Sequence, residues 1–96
     1  MESGYIEKKR ILIVEDEPSI ADNIAFAVET ENMEPVRAGT AGEAWRFLQA
    51  QPIDLVVLDV GLPDESGFGF CRRIRSRSDV PIIFLTAREQ EIDRIV

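Results

Sequence analysis

Three short, almost uninterrupted apolar runs, each closing on a polar or small residue, limit what this chain can fold into. Residues 10–15 read RILIVE, 53–59 read IDLVVLD and 80–87 read VPIIFLTA. Runs of about four to eight residues this apolar suit strands covered on both faces, as in a parallel sheet. Amphipathic stretches separate them, and that alternation marks βαβ units. After the first run, Pro18 fits the opening position of a helix, behind Asp16 and Glu17, whose charges suit a helix N-terminus. Ile20, Ile24, Ala27 and Val28 then supply one apolar stripe, and Asn32 marks the helix end. Residues 34–38 (EPVRA) are short, polar and carry Pro35, which predicts an edge strand. Thr40, with Glu43 three positions on, forms a capping box for a helix that buries Ala44, Phe47 and Leu48 with Trp45 on its flank. Residues 60–66 (VGLPDES) predict a loop. A third helix is predicted over 67–77 with Phe70, Cys71 and Ile74 inward; Gly69 costs it about 1 kcal/mol against alanine. Residues 89–96 (EQEIDRIV) begin another helix. The expectation is an open α/β sheet of four strands with about three and a half helices.

Length and composition narrow the function. The 96 residues suffice for one domain, divided here into an N-terminal extension, 1–9, and a folded unit, 10–96. Eighteen acidic residues against 11 basic ones leave a net charge of −7, which argues against coating nucleic acid or an anionic membrane. No apolar run approaches the ~20 residues that cross a bilayer. MESGYIEKKR lacks a signal-peptide apolar region and cleavage site, so the expected compartment is the cytoplasm. There is no histidine, which excludes Ser–His–Asp catalysis and His-ligated zinc. Cys71 stands alone, which excludes an intrachain disulfide and a cysteine cluster. A metal here would be a hard cation held by carboxylates.

Where the polar residues fall on these strands points to a site. The first strand ends in Glu15–Asp16, the third in Asp59 and the fourth in Thr86. In a parallel sheet all three ends meet at the carboxyl edge, where such sheets hold ligands. Two unit charges about 4 Å apart repel by roughly 4 kcal/mol at an effective dielectric of 20. Crowded carboxylates therefore share a proton or bind a cation. With no nitrogen or sulfur donor beside them, the cation is Mg2+, or Mn2+. Blander readings compete: an acid at a strand end often caps the next helix, and Thr86 alone reads as a turn residue. The conjunction on three strands favours a site. Gly61, Gly67 and Gly69 make no G-x-G-x-x-G, and no G-K-[ST] follows, so a nucleotide cradle is not expected. Arg72, Arg73, Arg75 and Arg77 read as a solvated helix face, and Trp45 and the phenylalanines as core.

At these residues the sequence resembles the receiver domains of bacterial two-component response regulators. ILIVEDEPSI supplies the acidic pair, VVLDVGLPDESG the phosphoacceptor strand and its loop, and PIIFLTA the strand ending in a hydroxyl. VEDE, LDVGLPDESGF and LTARE look most like the OmpR/PhoB branch. The resemblance runs from about Arg10 to Val96. It implies a flavodoxin-like (CheY-like), doubly wound sheet with strand order 2-1-3-4 and, in complete members, a fifth strand and last helix. It implies that Asp59 takes a phosphoryl group from a sensor histidine kinase. Mg2+ would be held by Asp16, Asp59 and the backbone carbonyl of Gly61, with Glu15 acting through a water. The Thr86 hydroxyl would swing to the phosphate. The family's phosphate-pairing lysine and aromatic switch residue have no counterpart here, since the only lysines are Lys8 and Lys9 and the only tyrosine is Tyr5. The chain therefore reads as a receiver truncated before its last strand and helix. It is expected to bind Mg2+ but phosphorylate slowly, to self-associate through the face left bare, and to reach DNA only through an output domain it does not contain.

Two other readings stand beside this one. A phosphohydrolase of the haloacid dehalogenase type also uses a strand-end aspartate with Mg2+, but it needs an acid two positions later, where this chain has Gly61. A pseudo-receiver that only binds other proteins would share the fold without the chemistry. The leading reading is a phosphoacceptor relay module rather than a turnover enzyme.

Overall fold

The computed structural model describes residues 7–85. Four strands alternate with three helices: β1 (Arg10–Val14), α1 (Pro18–Thr30), β2 (Glu34–Ala38), α2 (Ala41–Ala50), β3 (Leu55–Asp59), α3 (Gly67–Arg75) and β4 (Ile82–Leu85). All pairings are parallel, in the order β2-β1-β3-β4. This is the doubly wound sheet that the alternation of runs predicts, with β2 at one edge. Pro35 sits in that edge strand opposite Ile11, where its missing N–H costs least. The helix expected over 89–96 lies outside the described residues.

β1 is inaccessible on both faces: Ile11, Leu12, Ile13 and Val14 are each 3% exposed or less. Its alternate side chains feed two cores. Leu12 and Val14 join Val56, Leu58, Ala41, Ala44, Phe70 and Ile74 beneath α2 and α3. Ile11 and Ile13 join Ala25 and Val28 beneath α1, with Ile24, Met33, Leu55 and Val57 around them.

Element ends follow local chemistry. α1 starts at Pro18 and ends in a Schellman motif: the Asn32 amide donates to the Glu29 carbonyl at 2.9 Å, and the Met33 amide to that of Val28 at 3.1 Å. Asn32 has φ 62°, the left-handed conformation asparagine tolerates. The buried stripe of α1 is Ala21, Ala25 and Val28, not the one expected, since Ala27 is exposed and Ile20 half-buried. Small side chains let this helix lie close on the sheet, so the bulkier residues fall to the margins. At α2 the Thr40 hydroxyl accepts from the Glu43 amide at 3.1 Å, and the Glu43 carboxylate reaches back to the amide of Gly39 at 2.7 Å. Ala41 and Ala44 are the buried residues there, and Phe47 and Leu48 pack at the rim of the core.

Four ranges are shorter than the sequence predicts, β1 by its last residue, Glu15. β3 starts at Leu55 because Asp54 turns to bind β1: its carboxylate accepts from the Arg10 amide, and its own amide donates to the Arg10 carbonyl, both at 2.8 Å. α3 stops at Arg75, whose guanidinium donates to the Val80 carbonyl at 2.6 Å and closes the turn into β4. Within the described residues, β4 covers only Ile82–Leu85 of the expected 80–87. Cys71 is half-buried beside the inward Phe70 and Ile74. The phenylalanines are not all core either: Phe26 is 72% exposed and Phe68 also faces solvent. Among the described residues, no helix is long and apolar enough to cross a membrane.

Candidate functional site

Register decides which residues meet at the carboxyl edge. Val14 lies opposite Leu58, and Asp59 opposite Leu85, so Glu15 and Asp59 occupy the next positions of two adjacent strands. The Glu15 amide still donates to the Ala38 carbonyl at 3.0 Å, which extends the β1 ladder by one residue. Glu15, Asp16 and Asp59 each place a carboxylate oxygen so that all three lie within 4.8 Å of one another. The three acids singled out in the sequence therefore form one cluster. Thr86, the fourth, lies outside the described residues.

The cluster carries a charge problem that a cation answers. Glu15 is only 6% exposed. One of its carboxylate oxygens accepts from the Glu17 amide at 2.9 Å, while the other, Oε1, is buried with no hydrogen-bond partner. Burial pushes the Glu15 carboxyl above its ordinary range, and the nearby charges of Asp59 and Asp16 push it further, against the pull of the Glu17 amide. Asp59 is half-buried and Asp16 exposed, so one side of the cluster opens to solvent. An orphaned oxygen on a buried carboxylate that is clustered with two others matches a hard divalent ion with oxygen ligands. The open side leaves room for water or an incoming oxyanion.

Two residues that sequence reasoning passed over hold the Asp59 segment in place. Gly67, the first residue of α3, packs directly on the end of β3, and its amide donates to the Val60 carbonyl at 2.9 Å. A Cβ built there would come within 2.3 Å of the Asp59 carbonyl oxygen and 2.7 Å of the Val60 Cα, so no other residue fits without movement. The Ser66 hydroxyl caps the same helix by accepting from the Phe68 amide at 3.1 Å. Gly61 and Ser66 pair as an antiparallel bridge that closes the loop on itself.

Asp64, at the loop's tip, accepts from the Ala41 and Gly42 amides, both at 3.0 Å. It thereby supplies a carboxylate to the positive end of α2. Those hydrogen bonds, Ala41's first, hold the Asp64 carboxyl below its ordinary range. The Ser66–Gly67 pair at a loop-to-helix junction was a usable sequence signal for the close approach. Nothing in the linear sequence marks Asp64, because its partners lie 22 and 23 residues away.

The chain also matches known proteins. Residues 11–96 match the response regulator receiver domain. The chain is 43% identical over 86 residues to the sensory transduction protein RegX3 of Mycolicibacterium smegmatis, covering 90% of this chain and 38% of that protein. It is 43% identical over 91 residues to the transcriptional regulatory protein YvrH of Bacillus subtilis, covering 94% of this chain and 38% of that one. It thus spans well under half the length of these relatives. Among solved structures it is similar to the receiver domain of Klebsiella pneumoniae RstA, BeF3-activated, with a TM-score of 0.81 at 30% identity, covering 91% of this chain and 74% of that one. The response regulator TrrA of Thermotoga maritima, in complex with Mg(2+)-BeF, gives 0.80 at 34% identity, covering 91% and 76%. On these matches and this sheet, the chain belongs to the response regulator receiver domain family.

Proposed function

We propose that this chain is the phosphoacceptor of a two-component relay, with Asp59 as the acceptor. An Asp59 carboxylate oxygen attacks the phosphorus of a phosphohistidine on a sensor kinase. The P–N bond breaks, the imidazole leaves with its electron pair and takes up a proton, and Asp59 becomes an acyl phosphate. Asp16, Asp59 and the Gly61 carbonyl hold Mg2+ (Mn2+ is the alternative), and Glu15 acts through a water. The ion, when bound, offsets the charge that the acids and the phosphoryl oxygens bring together. Glu15 and Asp16 position the acceptor, and the Thr86 hydroxyl serves as the switch that reads the phosphate. That TrrA, a similar structure, is in complex with Mg(2+)-BeF supports the choice of Mg2+.

The runs LDVGLP, SGF, FCR and FLTAR are similar to the CreB type of regulator. With YvrH named a transcriptional regulator, we read the output as control of transcription through a DNA-binding domain beyond this segment. The protein would act in the cytoplasm, as a relay rather than a turnover enzyme.

The observation that carries the reading is the buried, unpartnered Oε1 of Glu15 beside Asp16 and Asp59. Incubation with acetyl phosphate and Mg2+, followed by intact-mass analysis and peptide mapping, tests it. One phosphoryl adduct on Asp59, lost with chelator and in Asp59→Asn, is expected. An adduct on another residue, or none after prolonged incubation, refutes it, and the latter result would favour the pseudo-receiver.

A further inference from the structure

On the side of the molecule formed by α2 and α3, a groove of about 210 Å³ runs between the two helices. Trp45 and Leu48 supply its apolar surface over the core residue Ile74, 1% exposed, and Gln49, Arg77 and Ser78 its polar rim. The chain as a whole is acidic, at −7, yet the stretch 72–77 on this side holds no acidic residue. Four arginines fall within residues 72–77, and Arg46 is exposed on α2.

The arginines differ in what they do. Arg75 is spent on the carbonyls of Ser78 and Val80. Arg73 pairs with Glu65 and lies 4.8 Å from the Trp45 ring centroid. Arg77 sits 5.9 Å from the same ring. Arg46, Arg72 and Arg77 have no ion-pair partner among the described residues. Stacking on Trp45 restrains the Arg77 side chain before any partner arrives, which lowers the entropy lost on binding.

We propose that this groove docks an acidic amphipathic segment of a partner protein, with one large apolar side chain seated against Trp45 and Leu48 and a neighbouring carboxylate on Arg77. The volume is below the ~300–1,000 Å³ of small-molecule sites and suits a single anchoring side chain. A nucleic acid is the poorer occupant, because it would bring its charge against an acidic chain with only Arg77 unpaired on the groove rim among the described residues. A second copy is poorer too. Among the described residues, the exposed apolar side chain with an acid one helical turn before it is Phe26 with Asp22, and Asp22 is already paired with Arg37 at 2.6 Å. Such a contact would also be head-to-tail and would not close with two-fold symmetry.

Trp45 is the chain's only tryptophan, so its fluorescence reports occupancy directly. The probe is a tryptophan-free synthetic helix with a leucine anchor flanked by glutamates, alongside its Glu→Gln counterpart. A saturable change in Trp45 emission is expected with the acidic probe, at least tenfold weaker with the glutamine probe and in 0.5 M salt. Arg77→Ala should weaken binding about fivefold and Arg77→Glu more, both exposed changes that leave the circular dichroism unaltered. Asp59→Asn should bind as wild type does, which separates this surface from the phosphoacceptor. No saturable change up to millimolar probe, equal binding of the two probes, or indifference to Arg77→Glu overturns the proposal. Self-association abolished by Arg77→Glu would overturn it in favour of a second copy, and binding of a single-stranded oligonucleotide through Arg77 in favour of nucleic acid.

Discussion

Two glycines two positions apart in α3 should respond in opposite directions to the same added methyl group. At Gly67 the new Cβ would lie 2.3 Å from the Asp59 carbonyl oxygen and 2.7 Å from the Val60 Cα, both backbone atoms. An ordinary contact needs roughly another ångström, and that distance must come from moving α3 or the end of β3. Overpacking of this kind costs about 1–3 kcal/mol, more than the gain of up to about 1 kcal/mol from replacing a helical glycine. At Gly69 the nearest atoms are the ends of the Arg72 and Glu65 side chains, at 3.8 and 3.9 Å. There the methyl meets only ordinary contacts and the propensity gain of about 0.5–1 kcal/mol stands. Each kcal/mol moves the midpoint of a domain this size by about 4–8 °C. Urea and thermal unfolding followed by circular dichroism should therefore show Gly67→Ala destabilised by about 1–3 kcal/mol and Gly69→Ala slightly stabilised. Because the displaced backbone belongs to Asp59, Gly67→Ala should also weaken Mg2+ binding while Gly69→Ala does not. Equal stabilities for the two variants, with unchanged Mg2+ affinity in both, would refute the close-approach argument.

Three other outcomes follow from the same structure. Asp64→Ala removes two hydrogen bonds to the first amides of α2 and, the carboxylate being exposed, should cost about 0.5–1 kcal/mol at pH 7. The folded-state pKa of Asp64 is lowered, so its contribution is present above the unfolded value near 3.9 and fades as pH falls through the lower folded value; urea midpoints at pH 7, 5 and 3 should show the gap between wild type and Asp64→Ala narrowing only at the acid end. Asp16→Asn relieves a carboxylate within 4.8 Å of two others; bare repulsion of roughly 3.5 kcal/mol per pair at a dielectric of 20 falls to about 1 kcal/mol with solvent screening. In chelator the variant should melt about 4–8 °C higher than wild type, and Mg2+ should then raise the wild-type midpoint more than the variant's. Ile83 stands 54% exposed on β4, at an edge of the four described strands; light scattering at tens of micromolar should show a dimer that Ile83→Lys converts to monomer.

Much of the fold was legible in the sequence because its strongest signals are local. RILIV and LVVLD are apolar runs with few alternatives, the first buried and the second buried at alternate positions; Pro18 and Thr40 announce helix starts, and Asn32 announces an end. The acidic cluster was legible as well, since strand-end acids converge in a parallel sheet once β1 and β3 are neighbours. Residues governed by tertiary contact were not. Ala21 and Ala25 are buried in place of bulkier neighbours because α1 lies close to the sheet, which periodicity does not show. β3 loses its first two expected residues because Asp54 is drawn to the backbone of Arg10. Asp64 and Gly67 hold the Asp59 segment through contacts with α2 and β3 that exist only when three elements are assembled.

The central claim is that Glu15, Asp16 and Asp59 form one divalent-cation site. Calorimetric titration of the wild-type chain with Mg2+, beside Asp16→Asn and Asp59→Asn, tests it most directly. One saturable site in the wild type, weakened at least tenfold (about 1.4 kcal/mol or more) in each variant, is the predicted result. Isotherms that coincide for all three chains, or no binding by the wild type, would contradict it.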